Sequence, residues 1–250
     1  MKKSNIVLTT LITAVFCTLT HAEDLVGLVD LPVGGQSLYS FNSLTPAAGT
    51  IANVSGLGTG EQLLSIDYRP MTGQLYGLSS GNSIYTLDAG SGAATLVGTG
   101  FTDLLNGGNF GFDFNPVIDR IRIVSDADQN FVAHPDTGDA NVATTTPVFY
   151  AAGDANDGAQ PNVVHHGYDG NVLGAPATGT QLRAIDTNLN ILVSQANNAG
   201  TLATIGPLGF DVQDIGGFDV ATTGNAFGAF SDGVGATTST LYSVDLTSGA

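Results

Sequence analysis

The feature that most constrains this chain is a short strand-like motif that returns along its length. Ser83-Ile84-Tyr85-Thr86-Leu87-Asp88-Ala89-Gly90-Ser91-Gly92-Ala93 and Thr240-Leu241-Tyr242-Ser243-Val244-Asp245-Leu246-Thr247-Ser248-Gly249-Ala250 alternate apolar and polar residues, reach an Asp and turn at Ser-Gly. Looser copies begin at Ser37, Asn130 and Gln181, so corresponding positions fall at 39, 85, 131, 183 and 242. Alternation of period two marks a half-buried strand, and self-similarity at this spacing marks a repeat architecture.

A second signature, apolar-Asp-apolar, lies between these copies. It occurs at Ile66-Asp67-Tyr68, Phe112-Asp113-Phe114 and Phe218-Asp219-Val220, with His166-Gly167-Tyr168-Asp169 as a degenerate fourth. A short strand follows each of the first three, and Ala94–Gly98 and Thr201–Gly206 read as closing strands. Four short strands in a unit of roughly 45 to 50 residues match a propeller blade. The expectation is an all-β fold, a β-propeller of four-stranded antiparallel blades with five blades. The third-strand motif is expected in each, including Gln181–Asp186. The chain enters at Leu25–Val29, which reads as a second strand, and stops at Ala250, where a closing strand is due. The last blade is therefore expected to be incomplete, in a fragment of a longer product.

Composition agrees with a turn-rich β protein. Of 250 residues, 34 are Gly and 11% are charged, against about a quarter in ordinary domains. The acids are nearly all Asp, which favours turns over helix interiors. Lys2 and Lys3, the apolar stretch from Ile6 to Leu19 and Thr20-His21-Ala22 read as an export signal, residues 1–22, cleaved after Ala22. Cys17 follows Phe16 rather than a small residue, which argues against a lipoprotein. Residues 23–250 are expected to form one secreted domain, extracellular or periplasmic, with no transmembrane span.

Without the leader the chain keeps four arginines (Arg69, Arg120, Arg122, Arg183) against 22 acids, a formal charge of 4 − 22 = −18. It holds no lysine and no thiol, which excludes disulfides, cysteine nucleophiles, thiolate metal sites and Schiff-base lysines. Nucleic acid is excluded as a partner, because binding a phosphate backbone needs Lys or Arg.

The run from Leu63 to Gly98, Phe110–Pro116, Asp119–Asp126, Gln129-Asn130 and Gly206–Asp211 resembles an exported bacterial family, domain-of-unknown-function family 4394. The Asp-Arg-Ile-Arg segment at Asp119–Arg122 is its most specific part. The resemblance spans roughly residues 25 to 250. It implies a propeller-like secreted protein with no established reaction, and it brings no catalytic residues with it.

Three sets of residues are candidates for chemistry. Asp67, Asp113 and Asp219 recur once per unit. Either they form a carboxylate ring near a central channel, able to hold a cation or polarise a sugar, or each fixes a turn by accepting N–H bonds. Repetition favours the second. Asp126, Asp128 and Asn130 offer oxygens at alternate positions of a calcium loop, but Phe131 stands where the sharp-turn glycine belongs and Thr137 where the bidentate Glu belongs. Asp154, Asn156 and Asp157, in an inserted loop, offer a comparable set, and Ca2+ is the metal expected if either binds one. His165-His166 with Asp169 could supply a general base and its orienter, against the ordinary reading of partly exposed strand histidines. Arg120 and Arg122 share a strand face, where pairing with Asp113, Asp119 or Asp126 is expected. Gly77-Leu78-Ser79-Ser80-Gly81 matches a hydrolase pattern, but a hairpin follows it rather than a helix.

The reading is a secreted non-catalytic propeller acting as a binding, scaffold or assembly module, with a glycan, an extracellular protein or a second copy as partner. The alternative is a glycosidase-like hydrolase using Asp67 and Asp113 as acid and nucleophile.

Overall fold

The computed structural model describes residues 22–250 and the backbone of Thr13–Val15; the expected export signal otherwise lies outside the described residues. Among them there is no helix, and so none long and apolar enough to cross a membrane. The strand β1 (Thr13–Val15) is followed by five sheets. The first contains β2 (Asp24–Asp30), β3 (Gln36–Asn42) and β4 (Thr50–Asn53). The second contains β5 (Leu63–Arg69), β6 (Gln74–Ser79), β7 (Ser83–Leu87) and β8 (Ala94–Val97), and the third β9 (Phe110–Asn115), β10 (Arg120–Ser125) and β11 (Asn130–Ala133). The fourth has β12 (Phe149–Tyr150), β13 (Val163–Tyr168), β14 (Leu182–Asp186), β15 (Ile191–Ala196) and β16 (Thr201–Pro207) in the order β12-β16-β15-β14-β13. The fifth has β17 (Gly216–Val220), β18 (Ala226–Ser231) and β19 (Ser239–Val244), with β1 parallel on β19.

Apart from β1 and β12, the strands of each sheet pair antiparallel with their neighbours in sequence, several of them through short turns. The turns fall where residues tolerate positive φ: Asn82 between β6 and β7, Asp119 between β9 and β10, Asn190 between β14 and β15. Asx residues adopt that conformation more readily than other non-glycine residues.

The expected uniform four-stranded unit is corrected in two places. The third sheet has three strands: beyond β11 the chain bonds back once, Val142 N–H to the Val132 carbonyl, and then crosses as β12 to pair in parallel with β16 of the fourth sheet. The Gln181–Asp186 motif is also displaced by one strand. It builds β14, paired with β13 and β15, and so stands second in its sheet rather than third. The third place belongs to β15, whose Ile-Leu-Val run carries no Tyr-x-x-Asp signature.

The buried apolar residues fall into five clusters, each shared by two sheets. Leu38 of the first sheet packs with Leu63, Leu75 and Tyr85 of the second. Tyr76, Leu78 and Ile84 of the second pack with Phe112, Phe114 and Ile121 of the third. Val124 of the third packs with Tyr150, Val163 and Ala184 of the fourth, and Ile185 and Leu192 of the fourth with Phe218 and Phe230 of the fifth. Phe227 and Leu241 of the fifth pack with Val29, Tyr39 and Phe41 of the first. Each fully buried Phe or Leu contributes on the order of 2 kcal/mol, so these faces hold the sheets together.

Candidate carboxylate cluster and cavity

The strands β5, β9, β13 and β17 each form one edge of the second to fifth sheets, and contacts link β5 to β9, β9 to β13 and β13 to β17. Their residues, with those of β2, line one cavity of about 280 Å³. Register with the neighbouring strands shows which residues occupy equivalent places. Asp67 lies opposite Tyr76, Asp113 opposite Arg122, and Asp219 opposite Phe227. In β13 the equivalent residue is Gly167, opposite Arg183.

The structure brings Asp67, Asp113 and Asp219 together: one carboxylate oxygen from each lies within 4.8 Å of the others. The carboxylates also tie adjacent sheets. Phe114 N–H donates to Asp67 Oδ2 at 2.9 Å, and Tyr168 N–H donates to Asp113 Oδ1 at 3.1 Å. Where the preceding sheet offers no carboxylate, the corresponding N–H turns to its own neighbour in sequence. Val220, which follows Gly167 around the cavity, donates to Asp219 Oδ1 at 2.6 Å, and Tyr68 donates to Asp67 Oδ1 at 2.7 Å.

Enclosure raises all three carboxyls. Desolvation is the largest cause for Asp67, reinforced by Asp219, while the N–H bonds from Phe114 and Tyr68 oppose it. For Asp113 desolvation is followed by repulsion from Asp67 and Asp219. Asp219 is raised by desolvation as well, but less than the other two, since its side chain is exposed at the cavity. Like charges this close in a poorly solvated site favour protonation or a bound cation.

The other predicted residues are engaged elsewhere. Asp126 accepts N–H bonds from Gly108 at 2.8 Å and Asn109 at 3.0 Å, holding the loop before β9. Asp128 sits at φ 61° and accepts from the Gln160 amide, and its Oδ1 is buried without a partner. Asn130 is buried; its amide donates to the carbonyls of Thr146 and Asn197. Asp154 accepts from the N–H and hydroxyl of Thr204, Asn156 donates to the same hydroxyl, and Asp157 accepts from Gly153 N–H. Among the described residues, the group of three or more acidic or imidazole side chains whose ligand atoms converge is Asp67, Asp113 and Asp219.

His165 and His166 are buried rather than partly exposed, at 3% and 2%. His165 Nε2 meets Gln213 O at 3.0 Å, and His166 Nε2 meets Arg122 O at 3.2 Å. The Asp169 carboxylate accepts from Gln181 N–H, its backbone carbonyl accepts from the Thr180 hydroxyl, and His166 bonds to Arg122 instead, so Asp169 does not orient it. Burial lowers both imidazoles, His166 to about 3, which leaves it neutral and a poor base at neutral pH.

The expected pairing of Arg120 and Arg122 with carboxylates is also corrected. Arg122 is 2% exposed and donates to Asn130 Oδ1 at 2.8 Å and Asn198 Oδ1 at 2.7 Å, while Arg120 donates to the Asp119 carbonyl. Asp113 and Asp126 accept backbone N–H groups instead. The ion pairs among the described residues belong to Arg69, which joins Asp119 and Asp136 and also donates to the Tyr76 hydroxyl. This fork was missed in the sequence, where Arg69 stands two places after Asp67 and its partners 50 and 67 residues away.

Fold and site define an all-β protein of five sheets whose leading strands wall a carboxylate-lined cavity. The chain belongs to the family described as a domain of unknown function, DUF4394, whose model matches residues 37–250. No curated protein matches it. Among solved structures it is similar to an extracellular domain from B. thetaiotaomicron, described as belonging to a one-component system. Identity is 10% and the TM-score 0.28, over 93% of this chain and 36% of that one. At that score the likeness carries no argument about function.

Proposed function

We propose that the chain is a non-catalytic, exported binding module built as a single five-bladed β-propeller, with the five sheets as its blades and the cavity as its channel. The cyclic order of the apolar clusters carries this reading. Each sheet shares a cluster with the next, and the fifth shares one with the first through Phe227, Leu241, Tyr39 and Phe41. Residues 23–250 are then the domain and 1–22 its export signal.

On this reading the channel is the ligand site and the three carboxylates are its cation holder. Oxygens no more than 4.8 Å apart fit opposite sides of a hard cation at about 2.4 Å from each, the distance Ca2+ takes to oxygen. A bound cation would offset the desolvation, and for Asp67 and Asp113 also the repulsion, that now raises the carboxyls. The loops at Asp126–Asn130 and Asp154–Asp157 suit turn-fixing, since their oxygens already accept N–H and hydroxyl bonds.

What weighs against the hydrolase alternative is geometry. A glycosidase needs one carboxyl placed to give a proton and a second placed to attack or to activate water, whereas Asp67 and Asp113 both accept backbone N–H bonds between sheets.

The test is thermal unfolding of the EDTA-treated chain against added calcium, magnesium and zinc. Binding to the native state alone raises stability by about 2.7 kcal/mol at a hundred times the dissociation constant. A shift with calcium that Asp113→Asn abolishes supports the site. No shift with any cation removes the carboxylates as a cation holder.

A further inference from the structure

The loop that leads into β9 carries the one Asn-Gly pair of the sequence, Asn106-Gly107. Both residues are exposed, and the chain reaches the cavity wall directly after them, at Gly108, Asn109 and Phe110. The loop is tied down on either side of the pair. Asn106 N–H donates to Gln129 Oε1 at 3.0 Å, and Gln129 Nε2 returns a bond to the Leu104 carbonyl at 3.0 Å. On the other side Gly108 and Asn109 N–H donate to the Asp126 carboxylate at 2.8 and 3.0 Å. Among the described residues, the Gly107 N–H and the Asn106 side-chain amide between these anchors have no hydrogen-bond partner.

A backbone nitrogen that follows an asparagine is a nucleophile held one bond away from ring closure onto that side chain. Gly107 has no side chain to keep its nitrogen from Asn106 Cγ, and its φ of 126° lies where glycine is favoured. Solvent base takes the proton of the Gly107 nitrogen, which bonds to Cγ, while the side-chain nitrogen gains a proton and leaves as ammonia. The product is a five-membered succinimide. Water then adds to one of its two carbonyls. Opening on one side leaves an aspartate; opening on the other leaves an isoaspartate, whose main chain is longer by the side-chain carbon.

The three Asp-Gly pairs are placed differently. Asp157 accepts Gly153 N–H at 3.0 Å, Asp169 accepts Gln181 N–H, and Asp232 accepts the Thr240 hydroxyl at 2.7 Å. Each side chain is held away from its own glycine's nitrogen by a bond elsewhere, and an ionised carboxylate is a poor electrophile.

Packing decides what the longer linkage does. A Cβ on Gly107 would stand 2.9 Å from Ser125 Cβ and press on Asp126 Oδ1, and Ser125 is fully buried. No room exists there for an added carbon, so Gly107 must leave Ser125 and take Gly108 and Asn109 with it. The new negative charge beside Asp126 acts in the same direction.

We propose that Asn106-Gly107 is a self-modifying site, a slow covalent switch whose one reagent is water, and that its isoaspartate form releases Gly108 and Asn109 from Asp126 at the cavity wall. The proposal does not depend on the propeller reading, since the loop and its anchors are the same whether or not the sheets close into a ring.

The test incubates the chain in mildly alkaline buffer. Chymotryptic peptides carrying Asn106 are followed by mass spectrometry for replacement of the amide NH2 by OH, and by protein isoaspartate methyltransferase for isoaspartate. A free peptide copying Asp103–Phe110 sets the reference rate. Asn106 in the folded chain should convert at a rate within about tenfold of the peptide's, ahead of the exposed Asn141 and Asn198, with isoaspartate among the products. The isoaspartate fraction, isolated by ion exchange, should lose hydrogen-exchange protection at the Gly108 and Asn109 amides. Asn106→Asp, which adds the charge without the extra carbon, should keep more of it. An Asn106 that outlasts the free peptide by more than about tenfold overturns the site. Conversion to isoaspartate that leaves both amides protected overturns the switch.

Discussion

Asp113 Oδ1 accepts the backbone N–H of Tyr168 at 3.1 Å, so a side chain of β9 fastens the leading strand of the next sheet. The same bond links Asp67 to Phe114. In these two sheets one residue therefore does two things: it satisfies an N–H of the next sheet and it brings a carboxylate to the cavity wall. A buried N–H left without an acceptor costs about 1 to 3 kcal/mol. Asp113→Ala removes the acceptor and Asp113→Asn keeps one. Urea unfolding at neutral pH without added cation should find the Asn variant more stable than the Ala variant by about 1 kcal/mol or more. Equal stabilities would mean that the bond to Tyr168 holds nothing.

Acidity supplies an independent check. Asp67, Asp113 and Asp219 are raised from 3.8, so the native state keeps protons that the unfolded chain has released. Their contribution to stability is complete below about pH 3.8 and falls as pH rises through the raised values. His165 and His166 act in the opposite sense, because they are lowered from 6.5. Their contribution is present above that value and is lost as pH falls toward the value of about 3 held by His166. The carboxylate share is isolated by difference: the stability of Asp113→Asn relative to the unmodified protein should increase between about pH 4 and pH 7. Saturating calcium should reverse the sign. A difference independent of pH would place Asp113 in ordinary solvent.

Arg69 is 7% exposed and joins β5 to the turn at Asp119 and to Asp136 after β11. Removing one partner of a buried ion pair costs about 3 to 5 kcal/mol, and the exposure of Asp136 lowers that share. Arg69→Met should therefore destabilise the protein by about 2 kcal/mol in chemical unfolding. Asp136, lowered chiefly by its bond to Arg69, should move back toward the ordinary carboxylate range in the same variant.

Gly98 adopts φ 67° beside the turn after β11, where a Cβ would come within 1.8 Å of the Thr137 carbonyl oxygen. Backbone cannot yield as a side-chain tip can. Gly98→Ala combines that clash with about 1 kcal/mol or more of left-handed strain, and calorimetry should show a loss well above the latter figure. Gly60→Ala, at φ 79° with nothing within 4 Å, should show the strain alone.

The sequence discloses the strands because alternation and turn residues are local: Ser83–Leu87 and Thr240–Val244 fold where their pattern places them. The repeated apolar-Asp-apolar signature likewise marks the leading strands β5, β9 and β17. What could not be read was which strand a motif joins. Gln181–Asp186 resembles a third strand, yet pairing with His165–Tyr168 makes it second. Convergence of the three Asp depends on packing between sheets 46 or more residues apart in sequence, and Gly167 leaves no chemical mark of the position it shares with them. Arg122 was misjudged for a similar reason, since Asn198 lies 76 residues away.

The most direct measurement is a carbon-13 titration of the aspartate carboxyls in the cation-free protein, with Asp67→Asn, Asp113→Asn and Asp219→Asn used to assign the signals. The account predicts three midpoints above the ordinary 3.8, with Asp219→Asn lowering those of Asp67 and Asp113 and Asp67→Asn lowering that of Asp113. Three midpoints at or below the ordinary value, each indifferent to loss of the others, would mean that the carboxylates do not meet, and the cavity site would be contradicted.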